Sequence, residues 1–351
     1  MLDKRFRKIF ITLGHQCNFN CMYCLQDEGF EKNTCVPHRP KLSNRLLRYL
    51  DNYKYEGTTI MFWGGEPLFY LPSIKAIVER YGDKFSYGMV TNGSMLNHSI
   101  LDFLEQYKIH FAISHDGYVT KTTRGMDILN LHLPITKRLK TCKVFDGFSS
   151  VISDVNDDFL SLVDYFKNKG FGHKNISIDM IFNTTDAKAL QRLSKIDTDD
   201  YRRHFKELLE NFDTEDPQIM AIVTYYLQKL DLKLKDPSLL EGCNPICESC
   251  RNMLNLDTEG NIYICHNSSY DIGTVDDDYE TLYQAYLTYL RTKFTAKCAT
   301  CDISYVCGGA CLLLTEKGQE SYCMIRRIEV EELLEWLHKK KGELENDNSA
   351  T

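Results

Sequence analysis

Eight residues near the N-terminus, Cys17-Asn18-Phe19-Asn20-Cys21-Met22-Tyr23-Cys24, hold three cysteines in a C-x3-C-x2-C spacing. Thiolates are soft ligands, suited to zinc or to iron–sulfur clusters. Three on so short a loop can each take one iron of a cubane and leave the fourth iron without a protein ligand. A cluster with an open iron can bind and activate a further molecule. One closed by four cysteines mostly stores or passes electrons. The competing reading is a zinc site with His15 as fourth ligand.

The 351 residues allow one large α/β domain and a smaller module. The net charge of −7 and isoelectric point near 5.8 speak against a nucleic-acid partner, because phosphate binding needs a basic face. No apolar run approaches the roughly 18–20 residues that cross a bilayer. The apolar stretch at 9–13 is shorter than the core of an export signal and reads as a first strand. A cytoplasmic protein without a membrane partner is therefore expected. In that reducing compartment, 14 cysteines point to metal rather than disulfides.

From residue 8 to about 182, β-rich runs alternate with amphipathic helical stretches. Strands are expected at 8–13, 58–63, 86–91, 110–114, 147–153 and 176–182, and helices at 43–53, 72–81, 97–106 and 156–169. Such alternation builds right-handed βαβ units on a parallel sheet. The result is an α/β fold, either a partial (β/α)6 TIM-like barrel or an open doubly wound sheet, and periodicity does not choose. The boundaries are read as a core at 1–196, a helical bridge at 197–240, a Cys-rich segment at 241–325, and a C-terminal helix with a disordered tail at 326–351. The bridge is a linker or a contact surface for a partner.

The loop at 15–25 follows the first strand, so it lies at the C-terminal edge of the sheet, where open sheets and barrels bind ligands. Gly64-Gly65-Glu66-Pro67 ends the second strand, Thr91-Asn92-Gly93 the third, and Ser114-His115-Asp116-Gly117 the fourth. Each alone could be a simple turn. Together, behind C-x3-C-x-aromatic-C with Tyr23 in the aromatic slot, they resemble the radical SAM (S-adenosylmethionine) superfamily. The resemblance implies a partial barrel and a [4Fe–4S] cluster on Cys17, Cys21 and Cys24, with S-adenosylmethionine chelating the open iron. It implies that Glu66 and the backbone of Gly64 and Gly65 receive the ammonium, that Tyr23 borders the adenine, and that Asn92 and Ser114 lie near the ribose or carboxylate. The chemistry implied is one-electron cleavage to a 5′-deoxyadenosyl radical, which takes a hydrogen from a substrate. His115 departs from the apolar residue usual there. It alternates away from Ser114 and is expected to pack under the sheet.

A second cysteine field comprises Cys243, Cys247, Cys250, Cys265, Cys298, Cys301, Cys307, Cys311 and Cys323. The segment holds too little apolar material to pack alone, and metal ligation supplies the missing folding energy. A hairpin turn at 257–261 brings Cys250 and Cys265 together. From Cys250 onward the spacing resembles the SPASM domain, a C-terminal extension of some radical SAM enzymes. That resemblance implies two auxiliary [4Fe–4S] clusters. One would use Cys250, Cys265, Cys311 and either Cys243 or Cys247, and the other Cys298, Cys301, Cys307 and Cys323. Structural zinc is the alternative. Cys35 and Cys142 read as small buried hydrophobes.

SPASM-type relatives mostly modify peptides or proteins, which implies such a substrate and an external one-electron donor of flavodoxin or ferredoxin type. The expected reaction is maturation of a ribosomally made peptide, for example by a thioether or C–C crosslink. The alternative is anaerobic sulfatase maturation, which turns Cys or Ser into formylglycine. That family carries an Asp base directly after the cysteine matching Cys265, and here the residue is His266. His266 reads as a base or as a partner to a cluster sulfide. No extension precedes the first strand, so a leader peptide is expected to bind elsewhere or not be needed. A non-catalytic electron carrier is the reading from another class. The incomplete ligand set of the first loop argues against it.

Overall fold

A computed structural model describes residues 2–24, 41–180, 193–212, 215–235, 248–292, 296–307, 311, 313–314 and 316–349. Cys35, Cys243 and Cys247 lie outside the described residues, as does the end of the strand expected at 176–182.

The strands are β1 (Lys8–Thr12), β2 (Thr59–Trp63), β3 (Ser86–Thr91), β4 (Ile109–Ser114), β5 (Phe145–Ile152), β6 (Asn175–Met180), β7 (Met253–Asp257), β8 (Asn261–Tyr263) and β9 (Asp271–Thr274). Their order in the sheet is β6-β5-β4-β3-β2-β1-β7-β8-β9. β1 to β5 pair in parallel with their chain neighbours, which is the sequential order that a partial barrel needs. The main helices are α1 (Asn44–Asn52), α2 (Leu71–Tyr81), α3 (His98–Gln106), α4 (Phe159–Asn168), α5 (Thr198–Glu210), α6 (Pro217–Lys235), α7 (Tyr279–Arg291) and α8 (Glu316–Ser349). Ser43, Asn97 and Asp158 accept hydrogen bonds from the first-turn N–H groups of α1, α3 and α4. These are the short polar caps that fix where helices start.

The chain forms two compact units. The first holds Met1–His115, Thr120–Ser149 and Cys247–Lys293, and the second Asp116–Val119, Ser150–Ile246 and Phe294–Thr351. The Cys-rich segment is shared between the units. The reason is backbone pairing. β7 runs parallel to β1 over five registers, from Lys8 opposite Met253 to Thr12 opposite Asp257. The expected hairpin is present as antiparallel β7 and β8, and β9 extends it. α8 runs to Ser349, and no proline follows residue 325 to stop it.

In the first unit, Ile9, Ile11, Ile60, Phe62, Leu254 and Leu256 are buried on adjacent strands. The second unit has its own aromatic core. Phe159 of α4 meets Tyr201 and Phe205 of α5 edge-on, with ring centroids 5.9 Å apart, and Tyr226 of α6 at 6.3 Å. Phe159 is fully enclosed. Phe159→Ala is expected to cost roughly 3–5 kcal/mol, the usual range for a buried Phe cavity, measured by urea unfolding of the second unit's tryptophan signal at Trp336.

Candidate active site and the cysteine fields

The cysteine loop leaves β1 at its C-terminal end and is held by backbone from two other segments of the first unit. Gly65 N donates to Gly14 O at 3.0 Å, Glu66 N to Gln16 O at 2.8 Å, and Met22 N to Thr123 O at 2.9 Å. The approach is close enough to require glycine. A Cβ on Gly64, whose φ is +147°, would stand 2.2 Å from Gly14 O, and one on Gly65 would stand 2.3 Å from Gln16 O. Cys17, Cys21 and Cys24 are all partly exposed on this loop. Cys17 Sγ accepts from Phe19 N at 3.4 Å and Asn92 Nδ2 at 3.7 Å. Burial raises its pKa, and the charges of Glu66 and Cys24 add to the rise.

Glu66 is fully buried. Its Oε1 accepts from Thr91 Oγ1 at 2.6 Å and Leu68 N at 3.1 Å, and its Oε2 from Asn92 N at 2.7 Å. Desolvation raises its pKa, while these donors pull it down. The carboxylate therefore laces the end of β2 to the end of β3. Asn92 carries the lacing on to the loop, since its Nδ2 donates to Asn18 Oδ1 at 2.9 Å. Glu66→Gln places an NH2 against one of those donors. It is expected to cost about 1–3 kcal/mol, read as a lowered thermal midpoint of the apoprotein.

Tyr23 is buried with the Arg124 guanidinium 5.3 Å from its ring centre, and Ser114 is partly buried at the end of β4. His115 is 1% exposed, with Nε2 3.3 Å from Asp127 Oδ1 and its ring edge-on to Phe148.

His266 stacks on Phe10 at 4.2 Å between ring centroids and meets Trp63 edge-on at 4.5 Å. Its Nδ1 stands 3.3 Å from Asn255 Oδ1 and, facing an amide oxygen, acts as the donor. Burial, helped by the charge of Lys8, pulls its pKa down to about 3. The ring is thus neutral and holds a transferred proton poorly. Trp63 Nε1 donates to Asn267 Oδ1 at 3.0 Å, closing the group. Phe10, Trp63, Asn255 and Asn267 were not singled out from sequence. Only the position of Trp63, directly before Gly64, offered a signal.

Of the second field, Cys250 and Cys265 belong to the first unit. Cys250 is 3% exposed and adopts a left-handed φ of +61°. Burial pushes its pKa up to about 12. Ser249 Oγ donates to Ile264 O, and Asn255 Nδ2 to Ser249 Oγ at 2.9 Å, so the residues preceding the two cysteines are bonded to each other. In the second unit, Cys323 lies within electrostatic range of Cys307, Cys298 and Cys301. Burial, together with their charges, raises its pKa to about 11. Cys311 also lies in this unit, and Cys142 is buried.

Among the described residues no three His, Cys, Asp or Glu side chains converge tightly enough to grip one ion. A cubane does not ask for that, because each thiolate binds a different iron. The donor chemistry of both fields fits iron–sulfur clusters. The first loop offers three thiolates with N–H donors already aimed at one sulfur. The second unit offers four that feel each other's charge.

Parallel strands in chain order, a three-cysteine loop after the first and a glycine–carboxylate turn after the second define a class of radical-generating α/β enzymes. A sequence-family model described as the radical SAM superfamily matches residues 11–193, and the chain belongs to that superfamily. The radical SAM cyclopropyl synthase TigE of Paramaledivibacter caminithermalis is 22% identical over 340 residues, which cover 90% of this chain and 69% of that protein. Among solved structures, anSMEcpe with bound AdoMet superposes with a TM-score of 0.65 at 19% identity, covering 93% of this chain and 98% of the other. Streptococcus suis SuiB bound to its precursor peptide SuiA gives 0.56 at 16% identity, covering 88% and 72%. The C-terminal extension thus resembles in fold that of anSME- and SuiB-type SPASM maturases. Among the described residues no helix is long and apolar enough to cross a membrane.

Proposed function

We propose that the chain oxidises a side chain of a peptide or protein substrate. The observation that carries this reading is the likeness along nearly the whole chain to anSMEcpe, a protein also solved with AdoMet and a Cp18Cys peptide. The likeness to SuiB with its precursor peptide supports the same substrate class. Cys17, Cys21 and Cys24 would hold the core cluster, and the second cysteine field the auxiliary ones. Bound there, the core cluster and S-adenosylmethionine supply a 5′-deoxyadenosyl radical able to take one hydrogen atom from carbon.

The chain's own residues serve that chemistry by placement. Gly64 and Gly65 let the loop lie against the sheet edge, and their carbonyls, with the Glu66 region, suit an ammonium. Glu66 and Asn92 hold the loop still, and Phe10, Trp63 and His266 present an aromatic wall. Tyr23 would border the adenine, and Ser114 would lie near the ribose or carboxylate. Loss of one hydrogen atom to that radical, then of one electron to an auxiliary cluster or other one-electron acceptor and of one proton to water, would leave a cysteine side chain as a thioaldehyde. Water converts this to formylglycine with release of hydrogen sulfide. Span favours this outcome over crosslinking, since the chain covers 98% of anSMEcpe and 72% of SuiB. His266 counts against it, because a neutral ring stands where that chemistry wants a carboxylate base.

The test uses anaerobically reconstituted protein, dithionite, S-adenosylmethionine and a cysteine-bearing peptide. An aldehyde captured by a hydrazide supports formylglycine. Loss of two hydrogens with sulfur retained supports a crosslink. Absence of 5′-deoxyadenosine with every peptide refutes the proposal.

A further inference from the structure

Helix α8 carries Cys323 and, three and four residues later, Arg326 and Arg327. That spacing puts all three on one helix face. The two arginines differ in how they are satisfied. Arg327 is exposed, donates to both oxygens of Asp302, and has Nη2 3.9 Å from Cys301 Sγ. Arg326 is only 1% exposed. Its Nη1 donates to Glu329 Oε2 at 2.8 Å, while Glu329 Oε1 is taken by Tyr201 Oη at 3.0 Å. Arg326 Nε and Nη2 are left buried without a hydrogen-bond partner among the described residues. A guanidinium is always charged, and its donors are costly to bury unsatisfied. Arg326 also lies within electrostatic range of Cys307, which in turn neighbours Cys323. Among the described residues no acceptor meets Nε or Nη2 of Arg326, and an iron–sulfur cluster with its thiolates would be one.

We propose that Arg326 donates its free Nε–H and Nη2–H to sulfur of a cluster held by Cys298, Cys301, Cys307 and Cys323, raising that cluster's reduction potential. The inference rests on the iron–sulfur reading of the second cysteine field. Donors to cluster sulfur favour the more negative, reduced state, and such bonds are among the protein's means of setting the potential. Arg326 is then a positioning residue for charge. Glu329 and Tyr201 fix its plane, and Arg327 is the exposed counterpart at Cys301.

The experiment uses full-length protein with Cys17, Cys21 and Cys24 changed to alanine, so that only auxiliary clusters load. Iron content and the cubane signal of the reduced protein come first. Failure to load any cubane removes the iron–sulfur reading and the inference with it. Given a cubane, Arg326→Lys is expected to favour the oxidised form by about tenfold at a fixed potential, ~59 mV for one electron. Protein labelled with 15N-arginine is expected to show a nitrogen coupling to the reduced cluster in pulsed EPR, and Arg326→Lys to lose it. The labelled parent keeps the test open even if the variant folds poorly. Cubanes that load normally but show no arginine coupling, or a midpoint unmoved by Arg326→Lys, overturn the proposal.

Discussion

Changing Cys17, Cys21 and Cys24 together to alanine is expected to abolish 5′-deoxyadenosine formation while leaving most of the iron in place. Three cubanes call for about twelve irons by ligand count, and loss of the core one leaves about eight. The separation follows from where the ligands sit. The loop is held by backbone bonds to Gly65, Glu66 and Thr123. Cys298, Cys301, Cys307 and Cys323 belong to the second unit, and Cys250 and Cys265 lie beside the β7–β8 hairpin. None of these needs the loop's thiolates to fold. Iron analysis and product chromatography on the same sample check both halves. A fall to near-zero iron would mean the cysteine fields are not independent. Undiminished deoxyadenosine would mean the loop is not the seat of the chemistry.

The parallel core was legible because buried strands and amphipathic helices repeat with distinct periods. Strand ends were marked by Gly64-Gly65-Glu66, Asn92-Gly93 and Gly117, residue types that close a strand whatever the function. The pairing of β7 with β1 was not legible. Met253 meets Lys8 across some 245 residues of chain, and alternation along one strand says nothing about its partner. The surroundings of His266 were hidden for the same reason. Its stacking partners come from β1 and β2, and a histidine after a cysteine cannot announce which rings it will meet. Arg326 and Arg327 are adjacent in the sequence, and nothing in it tells them apart. Only the packing of Tyr201 and Glu329 around the first reveals that one is sealed in.

Gly65→Ala is expected to be nearly as damaging as removing the thiolates, although it touches no ligand. The added methyl would stand 2.3 Å from Gln16 O and 2.5 Å from His15 O. Both are backbone atoms, so no rotamer change relieves the contact. The loop can yield only by breaking Gly65 N to Gly14 O and Glu66 N to Gln16 O, whose acceptors lie three residues and one residue ahead of Cys17. Overpacking of this kind costs roughly 1–3 kcal/mol, small against a whole fold, so the variant should stay folded with a modestly lowered thermal midpoint. Cys17 is nevertheless displaced from Asn92 and from its place beside Cys24. Core-cluster iron and deoxyadenosine yield should therefore fall by orders of magnitude, while auxiliary iron persists. Gly82→Ala, with the methyl in open space, separates this from a general glycine effect. It carries a positive φ, so it should lose some stability and keep its deoxyadenosine yield. Equal loss of yield in the two variants would show that the close approach of the Gly65 turn to the cysteine loop does not govern the site.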